Sequence, residues 1–375
     1  MSHPAAETSV PSFAVLRTDA CGARLGRLAT AHGVVETPAF MPVATHGSVK
    51  GVTPAQLEEL GATIVLSNAY HLAQRPGVEV VRDLGGVHGL MGWSGPILTD
   101  SGGFQVMSLA DLVRVDDQGV SYRSHVDGKA GHLRPEDSIT VQEQLGVDIA
   151  MSLDECVPAG VPSMQVARAV QRTTAWAARG LAVRRRREMA LFGIVQGGLD
   201  PEQRRVSADG LVSLDFDGYA TGGLSVGEPP AETARIAALT VELLPRERPR
   251  YLMGTGTPGD LLRFVAMGYD LFDCVLPTRN ARNGMLFTRE GKLMIRNACH
   301  ARDARPIDEH CACYACRHFS RGALRHLHLA HEMLGAQLAT LHNLFFYLNL
   351  MREIRAALGE GVFPGRAAVA AGAWA

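Results

Sequence analysis

Apolar stretches of strand length recur along the chain, most of them closing on a polar residue or a glycine. They run from Pro38 to Ala44, Thr63 to Asn68, Pro96 to Asp100, Asp148 to Asp154, Leu191 to Gly197, Gly218 to Gly223, Tyr251 to Gly256 and Leu271 to Val275. Helix-compatible stretches or loops separate them, an alternation that predicts strand-helix units and a parallel sheet. Eight such units in succession predict a closed (β/α)8 TIM barrel, because right-handed crossovers carry the last strand back beside the first. An open doubly wound sheet is the competing arrangement. The expected division is antiparallel strands capping the barrel (1–36), the barrel through its eighth strand and loop (37–283), a C-terminal subdomain with terminal helices (284–360) and a tail (361–375).

Several segments interrupt the rhythm. Short alternating runs between Phe13 and Pro38, broken by Gly22, Gly26 and Gly33, read as antiparallel strands forming a lid or plug. Gly119 to Leu133 alternates like a hairpin with its turn at Asp127-Gly128. The run from Ala175 to Glu188, with Arg184 to Arg187 consecutive, reads as a helix presenting a solvated basic face. Thr257-Pro258-Gly259-Asp260 has the form of a helix start, Thr257 as N-cap, Pro258 first and Asp260 reaching back. In a barrel that start lies after strand seven, a usual place for a phosphate. A loop carrying Arg279 and Arg282 is expected where Pro277 breaks the eighth apolar run, and Gly284 to Asn297 reads as a second hairpin. Helical periodicity follows from Arg321 to Leu358, then an alanine- and glycine-rich tail, Phe363 to Ala375, expected to be weakly docked.

Composition changes the picture in two places. The formal net charge is −1, so any polyanion site must be a local patch rather than a global field. One such patch is visible: from Arg279 to Arg325, ten Lys or Arg stand against four acidic residues. Seven cysteines are too few for a disulfide framework, yet three of them, Cys311, Cys313 and Cys316, crowd together in the pattern of a zinc site. His310, His318, His326, His328, His331, His342 and Cys299 all compete for the fourth position. Three thiolates and one imidazole would close the tetrahedron, so the metal is expected to be structural, pinning the second hairpin to the final helix. With no basic-then-apolar leader in Met1 to Pro11 and no run of eighteen apolar residues, the expected compartment is the cytosol, away from any membrane.

In a parallel barrel the C-terminal strand ends share one mouth, which here would receive Asn68, Asp100, Asp154, Gln196, Gly222, Gly223, Met253 and Asp273. Three carboxylates in one dry mouth repel, so at least one is expected to be pushed toward its protonated form and to serve as acid/base partner of a nucleophile. Two carboxylates in those roles are what glycosidic-bond chemistry uses. Amide side chains beside bare glycine backbone, at Gln196 and at Gly222-Gly223, suit the hydrogen-bonding edge of a purine, and Phe104 offers a stacking face.

These residues resemble the tRNA-guanine transglycosylases, in particular the bacterial queuosine branch. The likeness runs from Thr37-Pro38-Ala39-Phe40-Met41-Pro42-Val43 through Ser67-Asn68-Ala69-Tyr70-His71-Leu72 and Asp100-Ser101-Gly102-Gly103-Phe104-Gln105 to Asp273-Cys274-Val275-Leu276-Pro277-Thr278-Arg279 and the cysteine cluster. The resemblance implies a homodimeric enzyme with a zinc subdomain that exchanges the wobble guanine of tRNA for the 7-deazaguanine base 7-aminomethyl-7-deazaguanine. It implies Asp273 as nucleophile and Asp100 as general acid/base. It further implies base contacts from Ser101, Gly102, Gly103, Phe104, Asp154, Cys156, Gln196, Gly222, Gly223, Leu224, Val226 and Met253. RNA contacts would come from Gly254-Thr255-Gly256-Thr257-Pro258-Gly259-Asp260 and from Thr278-Arg279-Asn280-Ala281-Arg282. Cys311, Cys313, Cys316 and His342 match the family's zinc ligands. Cys156 and Val226 are residue types of the bacterial branch, whereas the eukaryotic enzymes, which differ there, accept the bulkier queuine. Phe104 stands where many bacterial members carry tyrosine. Two further functions remain in contention: a glycosidase that releases the base to water, and a tRNA-binding subunit without chemistry.

Overall fold

The computed structural model describes residues 11–109 and 111–363. Its largest sheet is built from nine short parallel segments, of which Ala39–Met41 and Val43–Ala44 are two halves of one strand parted by Pro42. Proline has no N–H to give the ladder, but its carbonyl still accepts from Leu66 N at 3.0 Å. The first half pairs with Leu271–Asp273 and the second with Val65–Ser67, so the sheet closes. Strands two to eight are Val65–Ser67, Ile97–Thr99, Ile149–Met151, Ala190–Val195, Gly218–Thr221, Arg250–Leu252 and Leu271–Asp273, each paired in parallel with the next. All eight coincide with the apolar stretches of the sequence, Ala190–Val195 and Arg250–Leu252 each beginning one residue earlier, and the open doubly wound alternative is excluded by the closure.

Side chains fill the barrel. Met41, Leu66, Leu98, Met151, Phe192, Ile194 and Tyr251 pack in one buried cluster that also takes in Leu28 and Val35 from the N-terminal strands. Those strands, Ser12–Thr18, Arg24–Thr30 and Gly33–Thr37, form an antiparallel sheet. The sheet is a plug at the N-terminal end of the barrel, held there by two buried polar ties. Arg24 grips Asp270, one residue ahead of strand eight, through both carboxylate oxygens and donates to the carbonyls of Arg246 and Arg248. Asp148, ahead of strand four, accepts from His32 Nδ1 at 2.8 Å and from Ile97 N at 2.8 Å, with His88 Nε2 at 3.2 Å. Buried carboxylates with this many donors are satisfied rather than strained.

Two sequence expectations are corrected. The helix Ser163–Val183 stops before the arginine run, and Arg184 to Arg187 form a connection, not a solvated helix face. Neighbouring carboxylates explain it: Arg184 pairs with Asp217, while the backbone N–H groups of Arg185 and Arg186 both donate to Glu143. Four adjacent cations on a helix would repel, and here the Arg184 and Arg186 side chains find acids, Asp217 and Glu188, instead. Pro277 starts the helix Leu276–Arg282 rather than opening a loop, since its fixed φ and missing N–H suit a first turn. The insertion also has one strand more than expected, Asp111–Asp116 joining the hairpin Gly119–Arg123 and Ala130–Leu133.

The C-terminal part packs the hairpin Met285–Thr288 and Gly291–Met294 against the helix Met333–Glu360. Periodicity from Arg321 onward resolves into two helices, the first being Arg321–Leu329, with His331 between them at φ 56°. Asn343, fully buried, ties the pieces together: its Oδ1 accepts from Phe287 N, and its Nδ2 donates to the carbonyls of Pro277 and Met285, each at 3.0 Å. That side chain holds the Arg279 helix to the final helix. Of the tail, Phe363 is buried in the core, and residues from 364 on lie outside the described ones. Among the described residues no helix is long and apolar enough to cross a membrane.

Candidate active site

The C-terminal strand ends open on a cavity of about 510 Å³, a size suited to one small ligand. Asp100, Ser101, Phe104, Asp154, Cys156, Gln196, Gly222, Gly223, Leu224, Val226, Met253, Gly254, Asp273 and Arg279 all line it, together with Asn68 and Tyr251. Strands two to eight each deliver at least one of them. Gly102 and Gly103 stand just behind, where the chain turns at φ +82° and a Cβ on Gly103 would come within 2.9 Å of the Asp154 carbonyl.

The three carboxylates meet different surroundings. Asp273 Oδ1 accepts from the Tyr251 hydroxyl at 2.6 Å and from Gly254 N at 2.7 Å. Burial raises its pKa, while those two donors pull the other way. Asp100 Oδ2 accepts from the amides of Asn68 and Gln105, and Oδ1 from Ala69 N at 3.2 Å. Burial first, and then the charges of Asp273 and Asp154, push Asp100 up to about 8. Asp154 reaches about 6, again through burial, against hydrogen bonds from Gln196 and Ser101. Burial is thus the first cause at all three, the neighbouring carboxylates add to it at Asp100, and Asp100 is pushed toward its protonated form.

Gln196 sits between Asp154, to which its Nε2 donates at 2.7 Å, and the Gly222-Gly223 backbone. A Cβ on Gly223 would fall 2.3 Å from Gln196 Oε1, so bare backbone is required there. Among the described residues Gln196 Oε1 is buried without a partner, an acceptor available to a ligand N–H. Phe104, 48% exposed at the rim, offers an open aromatic face, and Met253 packs partly against the barrel interior while lining the cavity. Cys156 is a neutral thiol, burial pushing it up to about 12.

Around the mouth, Thr257 caps the helix Pro258–Ala266 by accepting from Asp260 N at 3.2 Å, as its sequence predicts. Gly254 and Arg279 are exposed and Thr257, Gly259, Asp260 and Asn280 are half-buried. Thr255, Gly256, Pro258, Thr278 and Ala281 are buried, so they shape the rim without presenting side chains to a large partner. Arg282 is exposed, with one guanidinium N–H donating to the Thr278 carbonyl.

The Cys311, Cys313 and Cys316 sulfurs lie 3.7, 3.5 and 3.4 Å from His342 Nδ1, and all four ligand atoms are within 4.8 Å of one another. His342 Nε2 faces the Phe287 carbonyl at 2.7 Å. That bond places the ring proton on Nε2 and frees the Nδ1 lone pair, the arrangement metal-bound histidines use. The cluster could hold a metal ion, with His342 chosen over the other histidines and linked to the hairpin.

Two neighbours of the carboxylates, Gln105 and Tyr251, and one residue behind the rim helix, Asn343, carried no role in the sequence reading. Gln105 stands in the Asp100 segment, one position beyond Phe104, and was legible as a helical neighbour of that loop. Tyr251 and Asn343 gave no local signal, because each acts on residues far away in the chain.

A family model described as queuine tRNA-ribosyltransferase matches residues 19–371. The chain belongs to the queuine tRNA-ribosyltransferase family. It is therefore a pentosyl-transferring enzyme. Curated relatives of the same description include one from Moorella thermoacetica, 53% identical over 93% of this chain and 94% of that protein. Another, from Symbiobacterium thermophilum, is 54% identical over 93% of this chain and 88% of its own length. A third, from Nitrosomonas europaea, is 54% identical over 91% and 92% respectively. The match spans the plug from its second strand on, the barrel and the C-terminal helices, so the cavity belongs to the family's framework.

Proposed function

We propose that this family member exchanges the wobble guanine of tRNA for 7-aminomethyl-7-deazaguanine by double displacement at the barrel mouth. The observation that carries the reading is that Asp100 and Asp273 line one cavity in different protonation environments. A carboxylate oxygen of Asp273 attacks the ribose anomeric carbon, the glycosidic bond breaks, and its electron pair leaves with the base. Asp100 supplies the proton that makes the departing guanine neutral. The incoming base then gives a ring N–H proton to Asp100 and displaces Asp273, so two inversions leave the new base on the original face.

Phe104 and Met253 would sandwich the base, while Asp154, Gln196 and the Gly223 and Leu224 backbone read its edge. Cys156 and Val226, both on the cavity wall, favour the small deazaguanine over queuine. Arg279 and Arg282, with the Gly254 to Asp260 segment, would hold the flanking nucleotides by phosphate and base contacts. Cys311, Cys313, Cys316 and His342 would bind one zinc per chain; a closed tetrahedron offers no open position, so the ion stabilises and takes no part in the exchange. We read the enzyme as cytoplasmic, with 37–283 and 284–360 as its barrel and zinc units.

Incubation with tRNA carrying labelled wobble guanine should release label only when the deazaguanine or guanine is incorporated, and Asp273→Ala should abolish release. Full-rate exchange by Asp273→Ala overturns the mechanism. Guanine released without incorporation would mark a glycosidase instead. We also propose a homodimer, because one chain's basic patch is small beside a tRNA; light scattering that shows a monomer at micromolar concentration would remove it.

A further inference from the structure

Arg204 is a fully buried arginine with no carboxylate among its hydrogen-bond partners in the described residues. It projects from the helix Pro201–Val212, and its guanidinium donates to four backbone carbonyls: Gly198 at 2.9 Å, Val195 at 2.9 Å, Gly222 at 2.8 Å and Gly223 at 3.4 Å. Burial pulls its pKa down to about 10, which still leaves it charged at neutral pH. A buried cation whose hydrogen bonds go to carbonyls, with Glu228 acting on it only at a distance, is costly, and a hydrocarbon of similar volume would fill the same space. Its partners show what the charge accomplishes, for among the described residues they come from the last residue of strand five and from two turns. One follows strand five and carries Gln196; the other follows strand six and carries Gly222 and Gly223.

We propose that Arg204 is a positioning residue for base recognition, a clamp that locks the Gln196 turn to the Gly222-Gly223 turn and aims their hydrogen-bonding groups into the cavity. Peptide geometry supplies the aim. A trans peptide directs its C=O and the following N–H in opposite directions. Holding the carbonyls of Gly222 and Gly223 on the guanidinium therefore turns the N–H groups of Gly223 and Leu224 away from it, and both residues line the cavity. The same helix fixes Gln196 from behind, since Ser207 Oγ accepts from Gln196 N at 3.0 Å. Only a planar fork can reach four carbonyls on two turns at once, so a lysine cannot substitute for it.

This inference rests on the cavity binding a purine-like base, and the test keeps the two apart. Exchange kinetics and direct titration with guanine are run on wild type and on Arg204→Lys, with folding checked by circular dichroism. The expected result is a KM for the base and a guanine Kd raised roughly tenfold or more, the size of one lost charge-assisted hydrogen bond. The KM for tRNA should stay within about twofold, because tRNA is gripped elsewhere on the rim. A merely structural role would lower active-enzyme concentration, reducing kcat without splitting the two KM values. A folded Arg204→Lys with wild-type guanine Kd, or with both KM values rising together, overturns the clamp while the exchange reading stands. Wild type that neither binds nor exchanges guanine overturns both. Should Arg204→Lys not fold, hydrogen exchange on wild type decides: guanine must protect the Gly223 and Leu224 amides, and unchanged rates there defeat the proposal.

Discussion

The Tyr251 hydroxyl donates to Asp273 Oδ1 at 2.6 Å, joining the middle of strand seven, inside the barrel, to the end of strand eight. Both of the hydrogen bonds that Asp273 accepts from Tyr251 and Gly254 fall on the same oxygen. A carboxylate so held has one oxygen anchored, and under the proposed double displacement the other would attack with its orientation settled before any ribose arrives.

Tyr251→Phe removes one of the two donors that lower the Asp273 pKa against burial. The expected outcome is a kcat reduced roughly tenfold, the effect of losing about 1.4 kcal/mol of transition-state stabilisation, and an acid limb of the pH profile displaced upward. Steady-state exchange measured across pH checks both; an unmoved acid limb would separate Tyr251 from the nucleophile's ionisation.

Asp100, raised to about 8, is protonated below that pH and loses its proton above it. If it protonates the departing base, kcat/KM should be level between the acid limb set by Asp273 and pH 8 and fall about tenfold for each unit above it. Asp100→Asn should abolish exchange across the range. An exchange rate indifferent to pH between 7 and 10 would remove Asp100 from the acid's role.

Arg24→Met leaves Asp270 buried beneath the plug without its cation. Because a buried carboxylate so orphaned costs about 3–5 kcal/mol, urea unfolding should show a loss of that size. The double variant Arg24→Met with Asp270→Leu should recover much of it, since an apolar pair of similar volume suits a dry site. A loss below about 1 kcal/mol in the single variant would mean that water reaches the pair.

His342→Ala removes a metal ligand and the bond to the Phe287 carbonyl at once. Metal analysis should fall from one ion per chain to none, with a lower melting temperature, and a strong chelator should reproduce both in wild type. The adjacent Asn343 ties the Arg279 helix to the same hairpin, so tRNA affinity should drop more than affinity for free guanine. Equal losses of the two affinities would argue against that transmission.

The apolar rhythm of the chain was sufficient to place all eight barrel strands, because strand length and spacing are local properties written directly in side-chain polarity. Asp100, Asp154 and Asp273 were legible for the same reason: a carboxylate closing an apolar run must sit at a strand end, and a parallel barrel gathers those ends. The cysteine trio was equally local. Selection of His342 from seven candidates could not be read from spacing, since ligand choice depends on which helix turn meets the sulfurs in space. Nor could the exit of Arg184 to Arg187 from helix, decided by acids at Glu143 and Asp217 on other elements. Tyr251, Arg204 and Asn343 acquire their work from partners 22 residues away for Tyr251 and 66 for Asn343, or from two turns at once. Hydrophobic period states which face a residue takes; only the folded chain states what that face meets, because hydrogen bonds are satisfied by proximity and not by order.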